Sequence, residues 1–176
     1  MTSRKEPTYI HIILLLIAAG LVYLLIRVAI LDPQNVLEQE KFFKEESRLR
    51  MINIKTAEVL YKNKFGKFTD SFDSLFNFIN TDTLVRAKRD SIFVNLKSGT
   101  FVLDSLMYSP KSHSLYILQI DTTTTTDTVV NRRGKFLRVD TTTTIGNRYY
   151  LECSDGYGTI GDLKNDAKIN VPSWGQ

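Results

Sequence analysis

Three aspartates, Asp155, Asp162 and Asp166, fall within twelve positions on a segment that also holds Gly156, Gly158 and Gly161. A glycine-bearing backbone can curl tightly, and curling brings hard carboxylate oxygens to one point, which is what Ca²⁺ requires. Glu152 and Asn165 are further oxygen donors close by in sequence. Calcium is therefore the one cofactor these residues raise. The spacing is not that of an EF-hand, and the same side chains could instead close Asx-turns on their own backbone.

Little else in the chain has the makings of a reactive centre. His113 is the only histidine beyond the N-terminal apolar run and Cys153 is the only cysteine, so a Ser/His/Asp or Cys/His constellation would have to be built around them. No nucleophile elbow, Walker-type phosphate loop or dinucleotide-binding glycine pattern accompanies them. The expectation is a protein that is not an enzyme. One cysteine and two histidines exclude an internal disulfide framework and a Cys/His zinc site, and Cys153 reads as a small buried hydrophobe at a strand end. The formal charge of +4 and pI near 9.1 come from 23 basic and 19 acidic residues interleaved along the chain. No basic face is formed, and nucleic acid is not an expected partner.

The elements that must position these residues begin with Tyr9–Ile26, a run of eighteen residues without a formal charge. As a helix it covers about 27 Å, close to the roughly 30 Å of a bilayer core. Arg4 and Lys5 precede it, so residues 1–8 are expected as a cytoplasmic leader and 9–31 as a retained transmembrane helix, with everything after Asp32 exported. Asp32-Pro33 is a helix-start pair, and no Pro or Gly interrupts the chain from Gln34 to Phe65, which sets residues 32–66 as a helical stalk and domain helix ended by Gly66.

The first half of that helix is charged with both signs and reads as a solvated stalk; the second is apolar enough to pack on a domain. Phe42, Leu49, Ile52, Val59 and Leu60 recur on one stripe, with Phe43, Ile54, Ala57 and Tyr61 beside it. A one-helix anchor exposes more apolar surface than one small sheet can cover, so Phe42, Phe43, Leu49, Met51 and Ile52 are the expected contacts with other copies or with a partner helix.

Residues 67–176 are expected as an exported α+β domain. It opens with a short helix over FDSLFNFI capped by Asp70 or Ser71, with Thr81 to Arg89 as a further turn or two, and continues in short β-rich runs at 91–96, 100–106, 114–120, 135–139 and 148–152. Two threonine tracts, within 121–144, flank VVNRRGKFLRV and extend the arms of a hairpin turning near Asn131–Gly134, or else form a mobile low-complexity loop. Arg132 and Arg133 at that turn are candidate docking residues. Together these give an α+β fold: a transmembrane helix continuing into a long amphipathic helix packed on a small antiparallel β-sheet.

That order of elements resembles the type IV pilin family. The segment TAEVLYKNKFGKFTDSFDSLFNFI, Thr56–Ile79, looks like the stretch where such proteins end the long helix with Tyr, a Gly-aromatic neighbourhood and a short helix. The tail, YYLECSDGYGTIGDLKNDAKINVPSW, is similar to the C-terminal loop of the major pseudopilin of type II secretion, through Asp155-Gly156, Gly158, Gly161, Asp162, Asp166, Ala167, Ile169 and Trp174. The resemblance implies a Gly/Asp-rich C-terminal loop over 153–176 stabilised by Ca²⁺. It also implies a structural or assembly subunit of a secretion or pilus-like machine in the bacterial inner membrane, with the bilayer, other machine subunits or further copies of itself as partners. The leader departs from the family: Glu6-Pro7-Thr8-Tyr9 stands where a Gly-Phe cleavage site would be, and no acidic residue lies inside the apolar run. A fixed envelope component or a divergent assembly subunit is what then follows. The alternative is a tethered extracytoplasmic module that captures or senses a partner through its threonine hairpin.

Overall fold

The computed structural model describes residues 8–99 and 101–175; the leader residues Arg4 and Lys5, and Thr100 at the start of one β-rich run, lie outside the described residues. Contacts divide the chain into two units, residues 1–42 and 43–176.

The first unit holds α1, Thr8–Ile26, which is followed by a π-helical turn over Arg27–Leu31 and the start of α2, Asp32–Phe65. Pro33 has no N–H to offer the carbonyl four residues back, and a widened turn just before it is where that missing bond falls. Every residue from Tyr9 to Ala29 is exposed, and the helix is long and apolar enough to cross a membrane.

The second unit is an α+β head. From Phe43 onward α2 supplies its spine, and Gly66, with φ of 76°, closes the helix by donating its N–H to the Lys62 carbonyl at 2.7 Å. Three shorter helices follow: α3, Phe72–Thr81; α4, Thr83–Ala87; and α5, Arg89–Ile92. Ser71 caps α3 by accepting from the Ser74 N–H, and Asp82 caps α4 by accepting from the Leu84 and Val85 N–H groups. The sheet has order β1-β2-β3, all antiparallel, with β1 at Ile117–Val130, β2 at Phe136–Glu152 and β3 at Thr159–Gly161. The core joins Met51, Ile54 and Ala57 of α2 to Leu75 and Ile79 of α3 and to Leu118, Tyr149, Leu151 and Ile160 of the sheet. The expected α+β architecture of a helix on a small antiparallel sheet is therefore present.

Two details differ from the sequence expectation. The β-rich runs at 91–96 and 101–106 are not ladder strands: they hold the end of α5, an isolated Leu96–Gly99 bridge and a 3₁₀ turn over Asp104–Met107. The runs at 135–139 and 148–152 are one strand, because Gly146-Asn147 forms a bulge within β2 instead of a turn.

Candidate functional site

The helix face turned into the head is largely polar. Glu46, Ser47, Asn53 and Glu58 have none of their surface exposed, and Arg50 is nearly as enclosed. All but Ser47, which bonds two other side chains, reach loop backbone outside the ladder. Glu46 accepts from the Lys97 N–H at 2.7 Å and the Ser98 hydroxyl at 2.6 Å, and it pairs with Arg50, whose guanidinium donates to the Ser105 and Tyr108 carbonyls. Asn53 both accepts from the Val94 N–H and donates to the Val94 carbonyl, each at 2.8 Å. Ser47 bonds the Tyr116 hydroxyl at 2.8 Å and donates to Cys153 Sγ.

This seam explains why β-rich composition at 91–106 yields no strand: side chains of α2 satisfy the backbone there in place of a neighbouring strand. It also corrects the solvated-stalk expectation for Glu46, Ser47 and Arg50. Burial pushes the Glu58 carboxyl up to about 8, against the bond it accepts from the Thr69 N–H, and its Oε1 has no hydrogen-bond partner among the described residues.

The expected contact residues separate. Met51 is fully enclosed in the core and offers no surface to a partner, so the structure places it off the contact stripe; its position between Ser47 and Ile54 turns it inward with them. Phe43, Leu49 and Ile52 are half-buried flanks of the same helix, and Ile52 lines a hollow with Lys55, Pro172 and Trp174. Phe42, in the other unit, is 40% exposed.

The five oxygen-bearing residues of the tail are each held by protein groups. Asp155 accepts from the Ser109 hydroxyl and the Ser112 N–H; burial raises its pKa, but these bonds outweigh it and the net shift is downward. Asp162 closes an Asx-turn on the Lys164 and Asn165 N–H groups, Asn165 caps the next turn at Ala167, and Asp166 pairs with Arg148. Glu152 accepts from the Tyr150 hydroxyl at 3.0 Å. Among the described residues no three His, Cys, Asp or Glu side chains gather. The loop is shaped instead by Trp174, whose ring occupies the space a Cβ at Gly158 would take and stacks under the Arg48 guanidinium, 5.0 Å from its centre.

His113 is exposed at a turn with φ of 54°, and Cys153 is buried as expected, beside Ser47.

The most open feature is the hairpin. Thr122–Val130 pairs with Phe136–Ile145, turning through Asn131, whose N–H donates to the Lys135 carbonyl at 2.9 Å. Its base is pinned. Asp121, 7% exposed, stands opposite the bulge and accepts from the Arg148 N–H at 2.7 Å, while Gly146, with φ of 77°, places its carbonyl on the Phe68 N–H. Beyond that base nearly every side chain is exposed, including Val130, Phe136, Leu137, Val139 and Ile145. Arg132 and Arg133 lie in the turn, both exposed.

Fold and surfaces thus define an α+β head that follows an apolar helix and carries a long exposed hairpin. No family model, no curated protein and no solved structure matches the chain.

Proposed function

We propose that the chain is a membrane-anchored, pilin- or pseudopilin-like structural or assembly subunit of a bacterial cell-envelope machine. In this reading Tyr9–Ile26 sits in the inner membrane, Arg4 and Lys5 keep the N-terminus cytoplasmic, and the head is exported. The observation that carries it is the exposure of the uncharged, largely apolar run Tyr9–Ile26 in a chain whose next long helix becomes the spine of an α+β head. Such a surface is stable in lipid and a liability in water. The half-buried flank of Phe43, Leu49 and Ile52 is the surface through which α2 would meet a neighbour.

A reporter fused after Gln176 is expected to behave as exported, and cysteines at Phe43 or Leu49 to cross-link full-length copies or a partner helix. A cytoplasmic reporter, or a mature chain beginning near Ala29, overturns the anchored reading.

The second reading, a tethered module working through its hairpin, is favoured by one observation: strands of 14 and 17 residues whose outer halves are exposed on both faces. Deleting residues 122–145 distinguishes the two, since only the second loses all partner capture.

A further inference from the structure

The outer edge of β2 is open along most of its length. β3 pairs only with Tyr150, Leu151 and Glu152, and among the described residues no strand lies beside β2 from Phe136 to Tyr149 on that side. Unpaired edges are ordinarily blunted by proline, by covering segments or by charges that deter a second strand. Here the outer part of the edge, Phe136 to Ile145, carries two charges of opposite sign, Arg138 and Asp140, joined by an ion pair at 2.9 Å. A second feature of the same face is unfavourable within one copy: Asp127 of β1 stands directly opposite Asp140 in the ladder. Like charges in that position destabilise a strand pair.

From these observations we infer that the hairpin is an interaction surface for a second copy of this chain, paired antiparallel along the two β2 edges about a two-fold axis at Val139. In that register Arg138 of each copy lies opposite Asp140 of the other, Val139 opposite Val139, and Phe136 opposite Thr142. Each Asp140 then gains a second guanidinium on the face where Asp127 crowds it. A shift of the centre to Arg138 or to Asp140 sets like charges opposite each other, and a shift by half a step leaves both charges without a complement, so the edge specifies one register and opposes its neighbours. The β1 edge has no such property: it contains Asp121 and Asp127 and neither Lys nor Arg. The contact is isologous and closes at two copies, with the two heads at opposite ends of a four-stranded ribbon.

This surface deepens the assembly reading by naming a contact that is separate from the α2 flank, so the two fail independently. The test uses the full chain in zwitterionic detergent micelles under mild oxidation, with the enclosed Cys153 left in place. Val139→Cys is expected to give a disulfide-linked dimer, and Thr143→Cys at least tenfold less, because residue 143 faces Lys135 of the second copy. Asp140→Arg exchanges the exposed pair with Arg138 for an opposite-charge pair with Asp127 across the ladder, so the hairpin keeps one favourable charge contact, and it should lower the Val139→Cys yield at least tenfold. Arg138→Asp should do the same, and mixing the two reversed chains should restore the dimer, each supplying the charge the other lacks.

Equal cross-linking at 139 and 143, no dimer at either, or a yield indifferent to Asp140→Arg overturns the inference. So does a dimer that forms only when phosphatidylglycerol vesicles are added, which would assign the basic turn to an anionic lipid surface. Cross-linking at Phe43→Cys without any at Val139→Cys overturns this contact and leaves the α2 flank standing.

Discussion

The head and the hairpin are built from the same sheet but fixed in opposite ways. In the head, enclosed side chains of α2 bind loops distant in sequence, so that removing one group disturbs several segments. In the hairpin beyond Asp121, shape comes mainly from the backbone ladder, and side chains add only local bonds, such as Asn131 Oδ1 accepting from the Arg133 and Lys135 N–H groups and Thr125 donating to the Thr142 carbonyl at 3.3 Å. Stability is therefore concentrated in the seam, and open surface in the hairpin. Substitutions that leave the hairpin's backbone alone should barely touch folding, whereas those in the seam should be felt throughout the head.

The sharpest break of that contrast is Glu46→Ala. It removes the acceptor for Lys97 and Ser98 and leaves Arg50 enclosed without its carboxylate, a loss of about 3–5 kcal/mol in denaturant unfolding of the head. A loss below 1 kcal/mol would mean that the loops hold themselves.

Glu58 gives the next largest effect, and it depends on pH. Its folded pKa of about 8 lies above the ordinary value of 4.5. Protonation therefore contributes stability that is complete below about 4.5 and is lost as pH rises through about 8. Burial is the main cause of the shift; the Thr69 N–H works against it and the nearby Asp70 carboxylate works with it. Glu58→Gln should flatten this slope, raising stability by about 3 kcal/mol at pH 7 and by little at pH 4. Asp155 and Asp82, whose pKa values are lowered, act in the opposite sense and only as pH falls through and below 3.8.

Gly146→Ala probes the junction between the two regions. Its φ of 77° is disfavoured for alanine, and the added Cβ would stand 2.6 Å from the Phe68 carbonyl oxygen. The expected cost is about 1–3 kcal/mol, with the hairpin's ladder exchange faster at its base than at its turn. At the small end, Thr124→Ala with Thr143→Ala removes a 3.4 Å hydroxyl contact on an exposed face and should change stability by less than about 0.5 kcal/mol. Calcium belongs with it: with the tail carboxylates committed to protein donors, millimolar Ca²⁺ should leave the melting curve in place. A saturated site at about 100 times its dissociation constant would add about 2.7 kcal/mol, and a shift of that size would show that the loop rearranges to bind.

The sequence signals that proved legible are local ones. Gly66 ends α2, Ser71 caps α3, the hairpin turns at Asn131–Gly134 and Cys153 is buried, each a consequence of backbone preference or of neighbours close by. The polar seam was not legible, because Glu46 and Asn53 look like any solvated helix residue until the loops they bind, around forty to fifty positions away, are in place. For the same reason the runs at 91–106 read as strands: their valines and phenylalanines fit a sheet, but their backbone is satisfied by α2. The tail aspartates show the limit of spacing. Twelve positions on a glycine-bearing loop permit convergence, yet Ser109, Arg148 and nearby amides each claim one carboxylate.

Hydrogen exchange on the full chain in lipid nanodiscs, followed by mass spectrometry with increasing copies per disc, tests the contrast most directly. Amides of the head, at 94–99 and 101–109 as well as in α2, should be protected at every loading, while those of 136–142 begin fast and slow as copies are added. Fast exchange across 94–99 and 101–109, or crowding-dependent protection confined to 43–60 with 136–142 unchanged, would contradict it.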